Sequence, residues 1–153
     1  MDWGNNQSRL TPRLIDALYT EAMLLADEAR AYFDENGRDD RETLDPMLRV
    51  GFSCESLKVT TRLMHVIAWL LTQRAIDTGE LSPIQGRHPS RRVGHAAASD
   101  DELVARLPDD ARGLIEASVD LYERVKRIDR GLTASEIPSS PAHSLMRRLE
   151  AAF

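Results

Sequence analysis

One cysteine, three phenylalanines, three tyrosines and two tryptophans are all that this 153-residue chain holds of the residue types that most often build disulfide frameworks and aromatic cores. With Cys54 alone no intrachain disulfide forms and no cysteine-rich zinc site exists, which suits a reducing compartment. No apolar run approaches the ~20 residues of a membrane-spanning helix. The longest, Leu63 to Leu71, is broken by His65. The amino terminus lacks the basic start and apolar stretch of a signal peptide, so cytoplasmic residence is the expectation. A broad excess of Lys and Arg is also missing. The formal charge is −5, against a general nucleic-acid coat. No glycine-rich phosphate loop, dinucleotide fingerprint or His-Glu-x-x-His motif occurs. Cys54 and His65 would stand ~16 Å apart along a helix, too far for proton transfer. His88 and His95 have no third ligand at useful spacing. No catalytic, cofactor or metal residue is assigned.

What is present is helical periodicity. Thr11-Pro12 is a capped helix start, and Leu14, Ile15, Leu18, Ala22, Leu25, Ala26, Ala29, Tyr32 and Phe33 share one face of a helix over 11–36, with Gly37 as a left-handed stop. Asp45-Pro46 opens a second helix over 45–78, ~50 Å long. Its seam of Leu48, Phe52, Ser56, Val59, Leu63, Val66 and Leu70 alternates steps of four and three. Its apolar arc adds Leu57, Met64, Ile67 and Leu71, too wide for one neighbour to cover. Gly79 to Ser99 reads as a long exposed loop, basic on an acidic protein, with Arg87, Arg91 and Arg92 against one acid. Ser99-Asp-Asp-Glu102 resembles a capping box before a short helix. A third long helix follows over 109–130, apolar through Ala111, Leu114, Ile115, Leu121, Tyr122, Val125 and Ile128, with Asp129 turned inward. Residues 1–10 are expected to form a flexible amino terminus and 132–153 a flexible tail, with a short amphipathic helix over 144–152. The fold class is all-α, an antiparallel three-helix bundle over 11–131. The spacing leaves the direction of the third helix open.

Two groups of residues stand out for function. Lys58, Arg62, His65, Trp69 and Gln73 form a basic and aromatic stripe opposite the apolar face of the central helix, where tryptophan needs a cover. An external partner, a subunit mate or the 79–99 loop would each supply one. Together with Arg87, Arg91 and Arg92 these are the partner-binding candidates. Leu63, Val66, Ile67, Leu70, Leu71, Arg74, Tyr122 and Asp129 are the dimer or structural candidates. Arg74 is expected to pair with a carboxylate.

The run from Glu55-Ser-Leu-Lys58 through Thr60-Thr-Arg-Leu-Met64 and Trp69-Leu-Leu to Gln73-Arg-Ala75, together with Leu121-Tyr-Glu-Arg-Val-Lys-Arg-Ile-Asp129, resembles the RcdA family, the regulators of CtrA degradation, over about residues 10–131. The resemblance implies a three-helix bundle, often dimeric, acting as a non-enzymatic adaptor that delivers cell-cycle regulators to the unfoldase of a ClpXP-type protease. It implies protein partners and a homodimer with no catalytic residue, beside a composition that speaks against a membrane span and a nucleic-acid coat. The basic loop and the tail fall outside the matched motifs. They leave open a nucleic-acid-binding regulator that uses the basic loop, and a purely structural helical dimer.

Overall fold

Two helix starts set the frame. Thr11 Oγ1 accepts from the backbone N–H of Leu14 at 3.3 Å and Asp45 Oδ1 from that of Leu48 at 3.0 Å, each beside a first-turn proline whose missing N–H costs nothing. In the computed structural model, which describes residues 11–136 and 141–152, these caps open α1 (Pro12–Ala31) and α3 (Pro46–Asp77). A wide π-type turn, Tyr32–Asn36, continues α1, and a short α2 (Arg38–Glu42) follows directly. Gly37 is not the left-handed stop its position suggests, because its φ is −89°. Glycine is needed there for closeness: an added Cβ would stand 2.7 Å from the Tyr32 carbonyl oxygen. Gly79, at φ +80°, is the left-handed residue, placed where α3 ends.

Beyond α3 come two short turns, α4 (Pro83–Gly86) and a 3₁₀ turn (Pro89–Arg91), then an extended segment over 92–99. α5 (Asp101–Val104), α6 (Asp109–Glu136) and α7 (Pro141–Ala152) complete the described chain. The cap of α5 is Asp100, which accepts from Glu102 and Leu103, and not Ser99. The third helix runs to Glu136, past its expected end, and α7 starts three residues before the expected 144. The proposed flexible amino terminus, residues 1–10, lies outside the described residues, as do 137–140 of the tail.

α1, α3 and α6 pack in a triangle around Ile15, Leu18, Ala22, Phe52, Val59, Leu63, Val66, Leu70, Ile115, Leu121 and Val125, with Tyr32, Phe33 and Phe52 meeting ring to ring at one end. The chain is all-α among the described residues, as its periodicity requires. Side-chain contacts give the directions. Arg74 of α3 reaches Asp16 of α1 while Phe52 meets Phe33, so those two helices are antiparallel. Arg62 meets Ser118 and Trp69 meets Asp129, so α6 runs parallel to α3. The antiparallel arrangement expected of the bundle holds between α1 and α3, and the direction of the third helix, which the spacing left open, is parallel to α3. Residues 78–108 make it possible by carrying the chain back along the bundle to the starting end of α3.

Candidate functional site

The stripe on α3 is covered by the protein's own return segment. Trp69 and Arg62 are each only 2% exposed, which corrects the expectation of a surface open to a partner. The 79–99 connection is likewise no loose loop, since residues 92–99 are pinned to α3 and α6 along their length. Trp69 Nε1 donates to Asp129 Oδ1 at 3.2 Å, and Asp129 Oδ2 accepts from the Val93 backbone N–H at 3.2 Å and from Arg92 Nε at 3.3 Å. One carboxylate thus ties the indole of α3, the strap and α6 together. Two turns earlier, the Tyr122 hydroxyl donates to the Gly94 carbonyl at 2.7 Å and accepts from the Ala96 N–H at 3.0 Å. Gly94 lies so close to His65 that a Cβ would fall 2.3 Å from Nδ1.

The far end of the strap is held by charge. Arg62 donates to the Ala97 carbonyl at 3.1 Å, Ser99 Oγ at 2.6 Å and Ser118 Oγ at 3.2 Å. Ser99 donates to Glu55 Oε2, and Lys58 Nζ donates to Glu55 Oε1 at 3.1 Å and to the Ala98 carbonyl at 2.9 Å. Glu55 is fully buried. Burial pushes the Arg62 pKa down and the Glu55 charge pushes it back, so a guanidinium this basic stays cationic. Every buried side-chain polar atom among the described residues has a hydrogen-bond partner. That is the condition under which a buried ionic cluster specifies one packing instead of destabilising it.

The remaining candidates divide by position. Leu63, Val66 and Leu70 are core, Ile67 is half-buried at its edge and Tyr122 and Asp129 serve the strap. Arg74 pairs with Asp16 at 2.9 Å and lies 4.2 Å from the Tyr19 ring centroid, the carboxylate partner its place required. Gln73 is half-buried, and Arg87 and Arg91 are exposed beside the 3₁₀ turn. The Arg124 pKa is raised, first by its hydrogen bond to Glu21, an ion pair between α6 and α1.

A different face of α3 is left open. Met47, Val50, Cys54, Leu57, Thr61, Met64, Ala68 and Leu71 are all exposed, and Ala75 half-exposed, at alternating steps of three and four over 29 residues counted from 47 through 75. Leu57 is 69% and Met64 64% exposed. Half of the wide apolar arc therefore belongs to a second, uncovered heptad seam. The signal was in the sequence as two interleaved repeats on one helix, hidden because Cys54, Thr61 and Ala68 are weakly apolar. Beside the seam, Ala26, Ala29 and Phe33 of α1 and Leu63, Met64 and Ile67 of α3 wall an apolar cleft of about 340 Å³. No helix among the described residues is long and apolar enough to cross a membrane.

Comparisons with known proteins agree with the all-α fold. The sequence family described as a protein of unknown function, DUF1465, matches residues 6–153. Curated proteins provide no match. Among solved structures, that of RcdA from Caulobacter crescentus CB15 is similar with a TM-score of 0.63 and 36% identity, covering 78% of this chain and 90% of that one. The family match over residues 6–153, with the 36% identity to RcdA across 78% of the chain, shows that this protein belongs to the RcdA family, DUF1465.

Proposed function

We propose that this protein is a non-enzymatic adaptor that brings cell-cycle regulatory proteins to a ClpXP-type protease. Membership of the RcdA family supports this role, and the observation that carries it within the molecule is the uncovered heptad face of α3, a surface built for another helix and not for chemistry. Lys58 and Arg62, which a nucleic-acid reading would need, are spent on Glu55 and the strap. Tethering acts by raising the local concentration of a substrate at the protease, so each contact can be weak. In this reading α7 holds one of the two protein partners. A chain ending at Glu136 keeps every core contact described above. It should therefore melt as the full chain does, while turnover of a CtrA-type regulator in cells carrying it falls by about tenfold. Unchanged turnover would remove the tail from the mechanism, and unchanged turnover on deletion of the whole gene would remove the adaptor role.

The heptad seam is read as the homodimer contact. In an antiparallel pair centred on Thr61, large residues meet large (Leu57 with Met64, Val50 with Leu71) and small meet small (Cys54 with Ala68), with an unequal pair, Met47 with Ala75, at the ends, so the central face complements itself about a two-fold axis. Leu57→Glu with Leu71→Glu places two charges on exposed positions and leaves the core intact. Sedimentation equilibrium should then show a dimer dissociation constant raised about a hundredfold, with an unchanged helical spectrum. A wild-type chain that sediments as a monomer at micromolar concentration would refute the dimer.

A further inference from the structure

We propose that the apolar cleft between α1 and α3 receives α7 of a second copy of this chain, with Leu145, Met146 and Leu149 as its anchors. The two surfaces are unpartnered halves of one kind. Leu145, Met146 and Leu149 share one face of α7 and remain 50–59% exposed. The cleft is walled by Ala26, Ala29 and Phe33 on one side and by Leu63, Met64 and Ile67 on the other. The two alanines leave a trough along α1 instead of a ridge. Its 340 Å³ stands at the lower end of the ~300–1,000 Å³ range of small-ligand sites, suited to a few side chains of an incoming helix. The polar rim fits as well. Asp34 stands at the cleft beside Arg30, within the first 44 residues, which carry ten acids against five bases, and Arg148 borders the apolar face of α7. An arginine seated beside that carboxylate sets the direction of the docked helix.

Geometry assigns the helix to another copy. Since Arg62 meets Ser118 and Trp69 meets Asp129, Glu136 stands level with the last turn of α3, and the cleft centre near Leu63 lies ~20 Å back along the axis. The cleft is lined by α1, the π-type turn that continues it and α3, with no residue of α6, which puts it on the side of the triangle away from α6. Seating Leu145 and Leu149 lengthwise in it puts Pro141 ~11 Å back from Glu136 and beyond a helix ~10–12 Å across, a surface path above ~20 Å. The four residues between Glu136 and Pro141 span at most ~17 Å. A second copy meets no such limit. This exchange shares Met64 with the proposed dimer contact but leaves Leu57 and Leu71 outside the cleft, so the Leu57→Glu with Leu71→Glu variant, which loses the dimer, keeps every cleft wall residue and should keep the exchange.

The test is photo-crosslinking between isotopically distinct full-length copies, with p-benzoylphenylalanine in place of Leu149 in the light copy and an unmodified heavy copy mixed in equal amount. The expected product joins a light α7 peptide to a heavy peptide from α1 or α3, Met64 being the most reactive wall residue. Thr60→Arg, an exposed substitution on the cleft wall, should lower that yield about tenfold in the heavy copy without changing its thermal melt. Light-only products would show that α7 docks on its own chain and overturn the proposal. Crosslinks to other surfaces, the absence of crosslinks, or a yield unaffected by Thr60→Arg in a folded protein would overturn it too.

Discussion

Replacing Arg62 by methionine should destabilise the protein by about 3–5 kcal/mol, the cost of taking one cation out of a buried ionic cluster and leaving its acceptors unsatisfied. Methionine matches the length and much of the volume of arginine, so the loss is electrostatic and not a cavity. It removes the donors to Ala97, Ser99 and Ser118 at once, and it leaves the fully buried Glu55 with Lys58 as its only cation. For a domain of this size, each kcal/mol moves the melting temperature by ~2–4 °C, so a drop of about 10–15 °C should be read in a thermal melt. Glu55→Gln on top of Arg62→Met should recover half or more of the loss, because removing both partners of a buried pair costs far less than removing one. A single variant within ~1 kcal/mol of the parent would mean that water enters and solvates Glu55, and that the cluster is a weaker fixture than its burial implies.

The same residues show how far the sequence could be read. Helix starts at Thr11 and Asp45, the core seam of α3 and the inward Asp129 were legible because each rests on local chemistry: a cap, a period, a charge out of phase with its helix. The stripe of Arg62, His65 and Trp69 was equally visible as a feature needing a cover. Periodicity cannot say whether that cover comes from the same chain, since a return segment without regular structure has no period. Ser99 illustrates the difficulty. It stands where a capping box would place it, yet its hydroxyl serves Glu55 and Arg62, residues more than thirty positions away, and Asp100 takes the cap. The direction of α6 was hidden for the same reason. It follows from the pairing of Arg62 with Ser118 and Trp69 with Asp129, long-range contacts that no local pattern encodes. The exposed seam was hidden differently. Its large and small positions alternate, so it merged with the buried seam into one broad apolar arc until burial separated them.

Asp129→Ala should release the amino-terminal end of the 92–99 strap while leaving the three-helix core in place. The carboxylate accepts three hydrogen bonds, one at Oδ1 from Trp69 and two at Oδ2 from Arg92 and Val93. Alanine leaves the buried indole N–H without a partner and the strap without its anchor, at a cost of about 2–4 kcal/mol, since each unsatisfied buried donor costs ~1–3 kcal/mol and Arg92 can turn to water. Asn should be little better than Ala. Both carboxylate oxygens face donors, so whichever way the amide turns, its NH₂ group opposes an N–H. Hydrogen exchange supplies the local readout. The amide of Val93, which Asp129 holds directly, should lose most of its protection, while that of Ala96, held by Tyr122, should lose less and amides within α3 least. Trp69 fluorescence should shift to the red as water reaches the ring, because the strap covers the indole that the helices alone leave open. If exchange rises uniformly through α3 and α6 instead, the strap and the bundle form one cooperative unit. Asp129 would then be a keystone of global folding, and the strap would have no local opening of its own.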